Sequence, residues 1–146
     1  MYRNDQLAQS RIDLAKQAVR RTETAWGPTH KKLLAPLQNL GDLYFALGQY
    51  QEAEQVCDRL LSIATRNFTQ DHPVVAGALK VLGEACEAQG LHIEAENFYL
   101  WSLAACQNNL DHESETSLIL VRLLRLYRSS QETFKARIIE KRLVRS

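Results

Sequence analysis

Apolar residues recur at three- and four-residue spacing along most of this chain, and nowhere do they alternate with polar ones over the length of a strand. Leu37, Leu40 and Tyr44 form one such stripe, and Leu79, Leu82 and Cys86 form another. Each stripe is the pattern of an amphipathic helix with one apolar face turned to a core. Ala, Leu, Gln, Glu and Arg are abundant, whereas the chain holds only three Pro and six Gly. Good helix formers therefore dominate, and an all-α fold is predicted.

The stripes belong to an internal repeat. Gly48-Gln49-Tyr50-Gln51-Glu52-Ala53-Glu54 returns as Gly90-Leu91-His92-Ile93-Glu94-Ala95-Glu96, 42 residues further on. At the same shift Leu37, Leu40 and Gly41 match Leu79, Leu82 and Gly83, and Thr29-His30 stands where Asp71-His72 stands. Each unit reads as two helices, the first predicted over 31–47 and the second over 51–66, with Gly48 to Tyr50 as the turn. Gly48 and Gly90 fall where an antiparallel helix pair needs a left-handed residue. Asp71-His72-Pro73 opens the second unit, with Asp as an N-cap and Pro in the first turn. Asp111-His112-Glu113 opens a third in the same manner. Gly41 and Gly83, inside helices, predict close helix approach, with Ala53 and Ala95 expected opposite them.

The order Leu37, Leu40-Gly41, Tyr44, Gly48, Tyr50, Ala53 resembles the tetratricopeptide repeat. The period of 42, with Asp-His-Pro between units and Glu-Ala-Glu on the second helix, is similar to the variant found in kinesin light chains. HEAT-like repeats share the period but not this signature. The resemblance implies a single right-handed α-solenoid of antiparallel helix pairs, with about seven helices. Residues 1–27 would be a half-repeat helix, 28–69 the first repeat, 70–110 the second, and 111–146 a divergent third repeat or cap. In that last unit Leu124 and Gln131 replace the small residue and the turn glycine.

The resemblance also implies a concave groove lined by the first helix of each pair, binding a peptide or helical segment of a partner protein. Gln38, Asn39, Asp42 and Phe45 would face it from the first repeat, Lys80, Glu84 and Glu87 from the second, and Arg122, Arg125 and Arg128 from the third. Asn39 holds a place where relatives often carry an Asn that bonds a peptide backbone; Val81 replaces it in the second repeat. The three arginines fall on one helix face. They read either as a grip for a carboxylate or as a solvated face pairing with Glu84 and Glu87.

Charge and cysteine content narrow the remaining classes. The net charge is only +1, so nucleic acid is disfavoured as a partner. The charge is uneven, however. Residues 1–32 carry +4, residues 33–115 carry −9 and residues 116–146 carry +6. Basic ends around an acidic middle make a homo-oligomer a second reading, through the apolar end faces of the stack. The basic stretch from Lys135 to Arg145 is a further candidate surface for an acidic partner or RNA. No apolar run has the length of a membrane span. Cys57, Cys86 and Cys106 lack metal spacing and read as buried thiols in a cytoplasmic protein. His30, His72 and His112 read as turn residues, and Glu52/Glu54 and Glu94/Glu96 as solvated helix faces. No metal, cofactor or catalytic site is expected, since the motifs for phosphate cradling or hydrolysis are absent.

Overall fold

The computed structural model describes residues 2–70, 72–107 and 113–145, which form seven α-helices and, among the described residues, no strand. In chain order these are α1 (Tyr2–Trp26), α2 (Leu34–Ala46), α3 (Tyr50–Asn67), α4 (Pro73–Ala88), α5 (His92–Gln107), α6 (Glu113–Ser129) and α7 (Thr133–Arg145). Each packs on its neighbours in sequence, and α2 also touches α4, so the chain is an α-solenoid. The predicted helix over 31–47 divides: Lys31–Leu33 is a turn of 3-10 helix that leads into α2.

The three pairs turn in the same way. Gly48 and Gly90 hold φ of +74° and +77°, and Gln131 holds +61° at the equivalent place. After each of them one backbone N–H closes the same loop: Gln49 onto the carbonyl of Tyr44 at 2.9 Å, Leu91 onto that of Cys86 at 2.9 Å, and Glu132 onto that of Tyr127 at 2.8 Å. This is the six-residue closure of a Schellman cap. The third unit therefore keeps the turn although it lacks the glycine.

The helix entries differ from expectation. At the entries to the first and second units an imidazole, not a carboxylate, supplies the cap. Nδ1 of His30 accepts from the Lys32 N–H at 3.1 Å, and Nδ1 of His72 accepts from the Val74 N–H at 3.2 Å. Each ring also stacks on the aromatic residue four positions earlier, His30 on Trp26 and His72 on Phe68. The histidines are thus structural, and His72 takes the capping place expected of Asp71. Asp71 itself, Asp111 and His112 lie outside the described residues.

The core forms clusters along the stack that meet at Phe98. Ile12, Ala15 and Val19 of α1 join Leu37, Leu60 and Leu79 at one end, and Tyr99, Leu103, Leu123 and Ile139 fill the other. Gly41 and Gly83 do mark close approach, with Cys57 and Tyr99 as the nearest side chains. A Cβ on Gly41 would meet the Cys57 sulfur at 3.1 Å, and one on Gly83 would meet the Tyr99 ring at 2.6 Å. Cys57 and Tyr99 are equivalent positions, so the same helix crossing is filled by a small side chain once and by a ring the second time.

Candidate functional site

Between α2 and α4 lies an open cavity of about 770 Å³. Leu34, Ala35, Val74, Gly77 and Val81 supply its apolar lining, and Lys31, Lys32, Gln38, Asp42, Lys80 and Glu115 its polar one. The size and the mixture fit a ligand groove, with an apolar floor and a few oriented polar groups. Its depth comes from small residues. Ala35 and Gly77 occupy equivalent places on α2 and α4, and a Cβ on Gly77 would meet nothing within 4 Å. No packing demand explains a glycine at that point of a helix. The Gln38 amide donates to Asp42 at 3.0 Å across one turn of α2. The Lys32 ammonium sits 3.5 Å from the centre of the Trp26 ring.

Three of the residues expected in the groove, Gln38, Asp42 and Lys80, line this cavity. Asn39 is exposed on α2 but is not among the lining residues. Phe45 is half-buried on the core, with its ring 5.5 Å from that of Tyr50 in an edge contact. Among the contributors that escape the sequence reading are Ala35 and Gly77. A signal for Gly77 exists: a glycine in the middle of a helix without a counterpart in the turn or crossing positions.

The charged residues further along form a relay between units. Arg122 pairs with Glu84 at 3.1 Å and Arg125 with Glu87 at 3.2 Å, joining α6 to α4. Glu87 also accepts the Tyr99 hydroxyl proton at 2.7 Å. Burial, then this hydrogen bond to a carboxylate, holds the phenol well above its ordinary range. Arg128 departs from the pattern and pairs within its own unit, with Glu140 at 2.6 Å. The three arginines are therefore tied to carboxylates, although Arg125 and Arg128 keep much of their surface in solvent.

The Glu-Ala-Glu motif splits in a regular way. Its first glutamates, Glu52 and Glu94, are exposed, as expected. Its second ones reach the next unit instead: Glu54 accepts from Gln89, while Glu96 accepts from Tyr127 and pairs with Lys135 at 2.9 Å. The Lys135 ammonium is held above its usual range by its bonds to Glu132 and Glu96.

The three cysteines are free and buried. Burial, reinforced by Asp42 and Asp58, pushes the Cys57 thiol up to about 12. Burial with Glu54, Glu94 and Asp58 pushes Cys86 up to about 11. Such thiols are poor nucleophiles and poor metal ligands. Among the described residues no group of His, Cys, Asp and Glu could hold a metal ion, and no helix is long and apolar enough to cross a membrane.

Comparison with known proteins places this geometry. The tetratricopeptide repeat family model matches residues 32–108. No curated protein matches the sequence. Among solved structures the chain is similar to a Podosopora anserina protein described as a kinesin light chain with nearly identical TPR-like repeats. The identity is 22% over 98% of this chain and 68% of that one, with a TM-score of 0.83, and a variant of the same protein gives the same values. It is also similar to BtubC (BKLC) from P. vanneervenii, at 18% identity over 92% of this chain and 54% of that one, with a TM-score of 0.84. At these identities the likeness concerns the fold.

Proposed function

The chain belongs to the tetratricopeptide repeat family, whose members generally serve as protein-interaction scaffolds, and from that premise we propose that the α2–α4 groove holds a peptide or helical segment of a partner protein. The observation that carries this reading is the cavity itself, lined by Ala35, Gly77 and Val81 and flanked by Gln38, Asp42 and Lys80. An apolar partner side chain would enter over Gly77, where the missing Cβ leaves room. Gln38, Asp42 and Lys80 would fix its backbone and charge, and Asn39 would extend the polar rim. Glu84, Glu87, Arg122 and Arg125 tie α4 to α6 and lie outside the cavity lining. Arg128 lies beyond that row.

This reading assigns the groove to binding, with no reaction of its own, in the cytoplasm, where three unpaired buried thiols are at home. The test is a pull-down from native cytosol with the wild type, a Gln38→Ala/Lys80→Ala variant and a control, Gln55→Ala, at an exposed position of α3 outside the groove. Proteins retained by the wild type and the control but lost by the groove variant support the reading. Identical recovery by all three overturns it.

A further inference from the structure

The two repeats provide an internal control for the outer face of the solenoid. On α5, Ile93, Leu100 and Trp101 are exposed, Ile93 by 74%. Shifted back by 42 residues, the same places on α3 hold Gln51, Asp58 and Arg59. The first repeat folds with polar residues at these positions, Arg59 there pairing with Glu23, so the repeat itself does not require apolar ones on α5. Ile93, Leu100 and Ala104 follow one another at spacings of seven and four, a single stripe along the helix. An exposed apolar stripe without a packing role marks a contact surface. The helix carries no Lys or Arg; of its two glutamates Glu94 is exposed, whereas Glu96 is held by Lys135.

A second exposed apolar stripe, flanked by arginines, exists in the same chain, its Leu7 end bordering a cleft shared with Leu43 and Leu47. On α1, Leu7 and Leu14 are exposed by 62% and 66%, and Ala18 and Ala25 continue the line at helical spacing. Arg3, Arg11 and Arg21 flank it, and none of them makes an ion pair among the described residues. α1 packs on α2 and the turn before it, so within one molecule it does not cover α5. The other basic end, α7, has a shorter apolar line, for Lys141 and Arg145 follow Phe134 and Ile138 on its outer face.

From these observations we infer that α5 is a docking surface for a second copy of this chain, with the arginine-flanked stripe of α1 laid along the apolar stripe of α5 beside Glu94. A contact of this kind joins unlike surfaces, so one copy of the pair retains a free α5 and the other a free α1. Association then closes as a reciprocal pair or continues into longer assemblies. A single helix pair covers less than the roughly 800 Å² per partner of a standard interface, so the association is weak and reversible.

The test is light scattering and sedimentation with three proteins. The α5 variant, Ile93→Gln/Leu100→Asp/Trp101→Arg, imports residues already tolerated at the same place in the first repeat. The α1 variant is Leu7→Gln/Leu14→Gln. Wild type is expected to show a mass that rises above the 16.7 kDa monomer with concentration. Each variant should remain monomeric with an unchanged helical spectrum, and mixing the two should restore a complex, because each retains the surface the other lost. Gly77→Leu, which alters only the groove, should associate like wild type, so failure of this inference and failure of the groove reading are separable. A wild type that stays monomeric up to about 1 mM overturns the inference. So does an α5 variant that associates unchanged, or a mixture that stays monomeric.

Discussion

The ring of Tyr99 occupies the space that a side chain on Gly83 would need, its Cε1 lying 2.6 Å from where that Cβ would be. A ring so placed cannot retreat freely, because its hydroxyl is fixed on Glu87 at 2.7 Å. Gly83→Ala is therefore expected to destabilise the fold by roughly 1–3 kcal/mol through overpacking, less the ~1 kcal/mol that Ala gains over Gly in a helix. Gly41→Ala faces the Cys57 sulfur at 3.1 Å and Val56 Cγ1 at an ordinary 3.6 Å, and should be near neutral. Urea unfolding of the two variants checks this; equal costs would contradict the crossing as described.

The third turn offers a gain in stability. Gln131 holds a left-handed conformation that costs a side-chain-bearing residue about 1–2 kcal/mol. Gln131→Gly removes that strain at the position where the other two turns already carry glycine. Its unfolding midpoint in urea should rise by the equivalent of about 1 kcal/mol. An unchanged or lower midpoint would mean that the strain is relieved in some other way.

Much of the architecture is legible in the sequence because it repeats. The Gly-x-x-x-Glu-Ala-Glu segment and the Leu stripes locate the helix pairs within a few residues, and Gly48 and Gly90 mark the turns. What escapes depends on three-dimensional register. Nothing in the spacing tells that the Gly83 crossing is filled by Tyr99 rather than Ala95, or that Arg128 turns to Glu140 while Arg122 and Arg125 reach the neighbouring unit. His72 reads from sequence as a turn residue although its ring supplies the cap, since an imidazole nitrogen is a rarer acceptor there than the Asp beside it. Of the residues expected in a groove, Gln38, Asp42 and Lys80 line the α2–α4 cavity. Its floor is not legible, because Ala35 and Gly77 contribute by what they lack.

The buried thiols give stability a dependence on alkaline pH. In the fold Cys57 ionises only at about 12 and Cys86 at about 11, against an ordinary value of 9.0. The unfolded chain releases these protons first. The stabilisation is whole below pH 9 and is lost as pH rises from there through the folded values, at about 1 kcal/mol per thiol per pH unit. Melting temperatures at pH 8, 9 and 10 should fall, and Cys57→Ala/Cys86→Ala should fall less steeply. Parallel curves for the two proteins would rule out the thiols as the cause.

Gly77 separates stability from binding. Replacing it by Leu fills part of the 770 Å³ cavity without meeting any atom at the Cβ position, and it raises helix propensity by about 1 kcal/mol. The variant should melt higher than wild type and yet retain fewer partner proteins. A variant that is more stable and binds as before would show that ligands do not enter over Gly77.

Site-specific photo-crosslinking in cells reports whether a partner segment sits between α2 and α4. A photoreactive side chain at Ala35, in the groove lining, is compared with one at Ser62, exposed on α3 and outside that lining. The account predicts a discrete crosslinked partner from Ala35, lost in the Gly77→Leu background, and none from Ser62. Crosslinks of equal strength from Ser62, or none from Ala35, would contradict it.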